Sequence, residues 1–254
     1  MIPVYVINLL RSPDRRAFML EQLAGAGVAG EFIAAVDGRA CRARGPALLS
    51  VGERALILSH RKVWRRLLAS GASFGVVLED DAHLGGGFAA LLAADWRVHA
   101  FDVVKLETVS DRVWIARRGA SLAGRTLRRL GAEHLGSAGY LVSRAGAQKL
   151  IAMTQRLDAP IDQTLFGYAT VFEGRLRVLQ LVPAAVLQDR LLPNAREFTT
   201  TLQEADRRQI SEASRRNKPQ GLARFVREVT RLVAQAQRIA RLWPSMRRER
   251  VPWR

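Results

Sequence analysis

The sequence predicts an α/β protein with a functional site at the carboxyl ends of its strands, on three observations. Short apolar runs alternate with segments of helical periodicity, the pattern of βαβ units. Helix-start signals fall between those runs: Ser12-Pro13 and the Ser50-x-x-Glu53 box. One run, Phe74-Gly75-Val76-Val77-Leu78, is apolar throughout, as a strand buried on both faces must be, and it ends abruptly in Glu79-Asp80-Asp81.

Taken in order, Val4 to Leu9 reads as the first strand. Ser12 then caps a helix with Pro13 at its first position and Asp14 in its first turn. Gly25-Ala26-Gly27-Val28-Ala29-Gly30 matches G-x-G-x-x-G literally. It follows a helical segment and precedes the strand-like Glu31 to Val36, however, the reverse of what a dinucleotide fingerprint requires, so it reads as helix termination. The capping box opens a second helix with Leu56, Val63, Trp64, Leu67 and Leu68 on one side and Gly71 as its C′ residue. That helix feeds the strand with the acidic end. Gly85-Gly86-Gly87 is a turn. Asp102 to Leu106 and Gly139 to Val142 are further strands, and Ser143 caps a helix from Arg144 to about Gln155. Leu176 to Val182 closes the sheet at an edge, and Asp111 to His134 reads as a variable loop or small strands.

The chain has 254 residues, enough for a substantial core in one large domain or two small ones. A single cysteine, Cys41, excludes an internal disulfide and points to reducing cytoplasm. The amino terminus has no cationic leader before its short apolar run, and no stretch approaches the roughly 18 apolar residues of a membrane span, so a soluble or peripheral protein is expected. The formal net charge is +17, of which +10 falls between Ala205 and Arg254, where 14 Lys and Arg face four acids. We divide the chain into a domain at 1–204 and a basic tail at 205–254. Leu222, Phe225, Val226, Val229, Leu232, Val233, Ile239 and Trp243 recur at helical spacing with arginines between them, so the tail is expected to be a basic amphipathic helix. It either docks on an anionic membrane surface or packs on the protein's own core.

Three carboxylates at a buried strand end repel one another unless a cation, arginines or helix N-termini compensate them. Glu79-Asp80-Asp81 is therefore a candidate metal and phosphate site, with a polar turn as the other reading. Four blocks carry more. Val4-Tyr5-Val6-Ile7-Asn8-Leu9-Leu10-Arg11-Ser12-Pro13-Asp14-Arg15-Arg16 leads to Phe32-Ile33-Ala34-Ala35-Val36-Asp37-Gly38; Leu58-Ser59-His60 with Trp64 leads to the acidic strand end. Gly136-Ser137-Ala138-Gly139-Tyr140-Leu141-Val142-Ser143 with Gly146-Ala147 comes next, and then Pro160-Ile161-Asp162. In this order and spacing the chain resembles the family 25 glycosyltransferases, which include lipopolysaccharide and lipooligosaccharide galactosyltransferases.

The resemblance implies a GT-A-type, Rossmann-like mixed sheet flanked by helices, a UDP-sugar donor, and Mn2+ or Mg2+ held by a D-x-D-like motif. Asp81 becomes the expected direct metal ligand, with Glu79 and Asp80 shared between metal and ribose. Hard cations of this kind need only one or two carboxylates beside the phosphates. Asn8, Arg11 and Arg15 stand where the first strand meets its helix and suit phosphate or base edges, and Asp37 is placed to accept from uracil or ribose. The Arg pair equally suits a helix surface, and Asp37 a turn. An inverting transfer needs a base for the acceptor hydroxyl. Asp162 is the candidate, and the other reading makes it a helix N-terminal acid. His60 is expected to hold a carboxylate or the donor, while Trp64 packs beneath the sheet. Gln188 and Asp189 complete the metal or acceptor site, or form a polar turn. The acceptor is expected to be a glycolipid or oligosaccharide, at the inner face of a membrane. The alternative is an inactive polyanion-binding protein. One cysteine forbids zinc-finger spacing and no aromatic-rich RNA-binding motif appears, so specific nucleic-acid binding is not expected.

Overall fold

Strand β1 (Val4–Asn8) is buried along its whole length and sits inside the main sheet. The computed structural model describes residues 2–41, 49–109, 111–196, 198 and 245–254. Helix α1 (Pro13–Gly25) starts where the proline predicts, but the Ser12 side chain makes no capping bond. The fixed φ of Pro13 and the Arg16 N–H to Ser12 carbonyl bond (3.2 Å) close the first turn instead. The glycine-rich stretch ends α1, with Gly27 at φ +66°, and leads to β2 (Glu31–Ala34), parallel to β1. Helix α2 (Val51–Ser70) has the full capping box, Ser50 Oγ accepting from Glu53 N–H and Glu53 returning to Ser50 N–H, and terminates on left-handed Gly71. It leads into β3 (Phe74–Glu79), which pairs with β1 on the side opposite β2. The order β2-β1-β3 makes the gap between β1 and β3 a topological switch point, the place where open α/β sheets bind ligands.

Beyond it the sheet turns mixed. After β4 (Ala82–Leu84) and α3 (Phe88–Ala93) come β5 (Val103–Lys105), β6 (Glu107–Thr108), β7 (Arg112–Ala116), β8 (Ala120–Leu122) and β9 (Arg125–Arg129). Then follow β10 (Gly139–Ser143), α4 (Arg144–Met153), α5 (Ile161–Phe166), α6 (Tyr168–Phe172), β11 (Val178–Val182) and β12 (Val186–Gln188). The large sheet runs β2-β1-β3-β10-β5-β11-β9-β8, with β10 antiparallel to both neighbours. The predicted edge at Leu176 to Val182 is corrected: β11 lies inside, parallel to β5 and antiparallel to β9. Its covering strands come from the stretch with mixed signals. The β8–β9 hairpin turns on Ala123 and Gly124, both at positive φ (+48° and +73°), the primed geometry that fits strand twist. Alanine at such a position carries no turn signature, which is why the hairpin was illegible.

Two cores form, one per face. Ile57, Val63, Trp64 and Leu67 of α2 pack with Ala147, Leu150, Ile161 and Leu165 against one face, and Phe18, Met19, Leu23, Phe88 and Leu91 fill the other. No helix among the described residues is long and apolar enough to cross a membrane.

The end of the basic segment departs from expectation. The stripe from Leu222 to Trp243 lies outside the described residues, but the last ten are described and are not helical. Strand β13 (Met246–Arg250) pairs antiparallel with β7, Val251 carbonyl accepts from Thr108 Oγ1 (2.8 Å), and Trp253 bridges to Ala184. Buried Arg125 gathers the carbonyls of Pro183, Ala184, Gly86 and Arg254 at 2.5–2.9 Å. The sequence here, with three arginines in five residues, suits an exposed strand whose one buried anchor is Met246. Removing 245–254 takes away β7's partner and the buried Met246 and Val251, each worth about 1.5–3 kcal/mol. Urea unfolding of the truncated chain should therefore show a loss of several kcal/mol.

Candidate active site

The carboxylates of Glu79, Asp80 and Asp81 sit where β3 ends and turns into β4, at the switch point beside the end of β1. Asn8, the last residue of β1, donates its amide to Asp80 Oδ2 (2.8 Å) and to Ser12 carbonyl (3.3 Å). Arg15, one turn into α1, spans the cluster: its Nη2 lies 2.6 Å from Asp80 Oδ1 and 3.1 Å from Asp81 Oδ2. The Phe198 ring covers that guanidinium, 5.2 Å from centroid to carbon. Gln188, at the end of β12, donates to Asp81 Oδ2 (3.1 Å). Five of the sequence-selected residues therefore meet in one place: Asn8, Arg15, Asp80, Asp81 and Gln188.

Others stand apart. Arg11 and Asp37 pair with each other (2.8 Å) at the ends of β1 and β2, partly exposed, and Asp37 also caps the short turn that follows by accepting from Arg39 N–H. The Arg11 hydrogen bond, helped by Arg39, holds the Asp37 carboxyl below its ordinary range. Asp189 is buried, receiving Arg196 N–H (2.9 Å) and facing His83 Nε2 (2.8 Å); it fastens the segment after β12 to β4. Asp162 lies in the first turn of α5, half-buried, its Oδ1 accepting from Gln163 N–H (2.8 Å), and its charge acts on Lys105.

Behind Glu79 runs a buried polar chain. Trp64 Nε1 can only donate, and it gives its proton to Tyr140 Oη (2.9 Å). Burial pushes the Tyr140 phenol far above its usual range, so it stays protonated and donates to His60 Nδ1 (2.8 Å). That leaves His60 Nε2 as the protonated nitrogen, buried without a hydrogen-bond partner and facing Glu79 Oε1 at 3.5 Å. Ser137 donates to the same oxygen at 2.5 Å. Trp64, expected only to pack, thus also orders the chain that aims His60.

These surroundings drive the carboxyls apart. Burial alone would raise Glu79, but His60 and Ser137, with Arg15 beyond, outweigh it and hold Glu79 below its ordinary value. Burial raises Asp80 against the pull of Arg15 and Asn8. Asp81 goes furthest, to about 7, through burial and then the repulsion of Glu79, with Arg15 offsetting only part. Among the described residues no three His, Cys, Asp or Glu side chains form a self-sufficient metal site. A cation bridging a diphosphate asks for less, and Asp81 Oδ1 is buried with no partner, so one carboxylate oxygen fits that role.

Sequence reasoning overlooked Lys105 and Glu107, an ion pair with both side chains fully buried (3.0 Å). The available signal was a lysine inside the apolar run Asp102-Val103-Val104-Lys105-Leu106.

A doubly wound sheet with an arginine-compensated acidic cluster at its switch point belongs with the α/β proteins that bind ligands beyond their strand ends. The profile of glycosyltransferase family 25 (LPS biosynthesis protein) matches residues 1–165, and the chain belongs to that family. It is 33% identical over 207 residues to the lacto-N-neotetraose biosynthesis glycosyltransferase LgtB of Neisseria gonorrhoeae, covering 73% of this chain and 74% of the relative. LgtB of Neisseria meningitidis serogroup A is 30% identical over 254 residues, 90% and 91% of the two chains. A probable inactive glycosyltransferase 25 family member 3 of Bos taurus is 30% identical over 188 residues, 64% of this chain and 31% of the relative.

The raised Asp81 carboxyl makes a stability prediction. Its folded-state value lies above the ordinary 3.8, so the fold retains a proton that the unfolded chain releases, and stability is lost as pH rises from about 4 through about 7. Asp81→Asn removes that loss. Metal-free Asp81→Asn should melt higher than wild type at pH 8 and at the same temperature at pH 4; equal melting at both would show that the buried charge is fully compensated.

Proposed function

We propose that this protein is an inverting, metal-dependent glycosyltransferase of GT-A type, moving galactose from a UDP-sugar to lipopolysaccharide or a related glycan. The observation that carries the reading is the Arg15–Asp80–Asp81 cluster at the β1–β3 switch point, with one Asp81 oxygen buried and unpartnered. Family membership supports glycosyl transfer, and the names of the neisserial relatives support an oligosaccharide acceptor. Bound Mn2+ or Mg2+ supplies charge stabilisation for the departing nucleoside diphosphate.

The chain's own residues do the rest. Asp81 holds the cation through Oδ1, while Arg15 steadies Asp80 and Asp81 and offers its unpartnered Nε to the phosphates. Glu79 and Asp80, oriented by Ser137, His60 and Asn8, share the metal shell and the ribose. Arg11 and Asp37 receive the nucleoside at the ends of β1 and β2. Asp162 takes the acceptor proton.

The second reading, an inactive polyanion binder, is favoured by the inactive bovine relative and by the net charge. A UDP-sugar turnover assay separates the two. Wild type should hydrolyse or transfer UDP-galactose with Mn2+ and stop with EDTA. Asp81→Asn should lose orders of magnitude in turnover. Asp162→Asn should lose transfer yet keep UDP affinity within a few-fold, because a base acts in the chemical step. Absence of wild-type turnover with every UDP-sugar tried would overturn the enzymatic reading.

The reading extends to location: a cytoplasmic protein held on the anionic inner leaflet by the arginines of 205–244, each worth up to about 1 kcal/mol near such a surface. Truncation is the wrong probe, since it would also remove β13. Replacing Arg224, Arg227, Arg231, Arg238 and Arg241 with Gln in the intact chain should release it from anionic vesicles and slow transfer to a membrane-embedded acceptor. Turnover on a soluble acceptor should survive; vesicle binding unchanged by the five substitutions would end the membrane role.

A further inference from the structure

Lys105 and Glu107 are the most fully buried ion pair described, and the reaction proposed above assigns them nothing. Neither side chain reaches solvent. A buried pair is poor evidence of stability, since well-packed apolar residues often serve as well, so its placement has to be explained by what it holds. Lys105 Nζ donates to Glu107 Oε2 (3.0 Å) and to Gly136 carbonyl (2.6 Å) and lies 4.3 Å from the centroid of the Phe166 ring. Glu107 Oε2 also accepts from Ala138 N–H (3.0 Å). The pair thus grips a three-residue turn from both sides, its cation on the carbonyl of Gly136 and its anion on the amide of Ala138.

The residue between them is Ser137, whose hydroxyl meets Glu79 Oε1 at 2.5 Å. The grip continues into the backbone, where Ala138 carbonyl accepts from Glu79 N–H (2.9 Å). Gly136 is at φ +106°, a conformation that favours glycine, and a Cβ there would stand 2.7 and 2.9 Å from the two Glu107 oxygens. The charges of Glu79 and Asp162 both act on Lys105, so the pair lies between the metal side and the acceptor side of the site.

We propose that the Lys105–Glu107 pair is a positioning device for glycosyl transfer: it clamps the Gly136–Ala138 turn and so presents the Ser137 hydroxyl that orients the Glu79 carboxylate. This rests on the function proposed above, and the test separates the two.

Ser137→Ala should lower kcat at least tenfold with the melting temperature unchanged, and Ser137→Thr, which keeps the hydroxyl, should restore most of it. The volume-matched double replacement Lys105→Met with Glu107→Leu should fold and lose kcat to a similar extent. Combined with Ser137→Ala it should lose no more than either alone, because all act through one contact. Full turnover in Ser137→Ala, or losses that multiply, would overturn the proposal. If the apolar pair does not fold, Glu107→Gln takes its place in the same cycle. A second readout needs no turnover: amide exchange at Glu79 and Ala138 should quicken at least tenfold in the Lys105/Glu107 variants. Unchanged exchange sinks the clamp, whereas a wild type with no transfer but with this exchange pattern sinks only the enzymatic reading.

Discussion

The arrangement turns on one electrostatic demand, the compensation of three carboxylates placed at the end of a buried strand. Left alone they would repel one another in a setting of low dielectric and take up protons. Each is met by a different element: Asp80 by the last residue of β1 and the first turn of α1, Asp81 by Arg15 and β12, Glu79 by α2 and the turn before β10. Strand order, helix placement and the β12 excursion converge on this point. The compensation is incomplete, and Asp81 stays near neutrality in its titration, with one oxygen unused. A site poised in this way gains charge partners when a cation or phosphate arrives, which suits binding better than it suits stability.

Beneath the cluster, the face that packs on α2 and α5 carries a polar layer in place of a purely apolar one. Trp64, Tyr140 and His60 pass a single donor direction toward Glu79, and Lys105, Glu107 and Gln180 extend the layer across β5 and β11. His134 closes it, with Nδ1–H on Gln180 Oε1 (2.8 Å) and Nε2 accepting from Val109 N–H (3.3 Å). Burial and the nearby Lys105 charge push its pKa down to about 3, so this histidine stays neutral. Networks of this kind fix rotamers because every alternative leaves a buried group unsatisfied. The layer is a rigid floor under a site whose upper side has unmatched groups.

The carboxyl-terminal strap gives the basic segment two fixed ends. Before it, Arg196 is bonded to Asp189 and Phe198 lies on Arg15; after it, β13 pairs with β7 and Val251 reaches Thr108, the neighbour of Glu107. Both attachments reach residues next to the site, so whatever the arginine-rich stretch contacts is coupled to the body near the acidic cluster.

Much was legible in the sequence because it depends on local rules. An apolar run ending in acids, a capping box, glycines that stop a helix and the order of four family blocks are each written within a few residues. They determined the α/β class, the strand that carries the site, the acidic cluster itself and family membership. What the tertiary structure alone decided is long-range pairing: that Arg15 spans Asp80 and Asp81 while Arg11 turns to Asp37, that Asp189 fastens a segment, that β11 is interior, and that the last residues form a strand. Lys105 shows the limit best. A lysine in a strand signals an anomaly, but its partner two residues on and the turn some thirty residues away are brought together only by the crossing of β5 and β10, and strand pairing leaves no period in either segment.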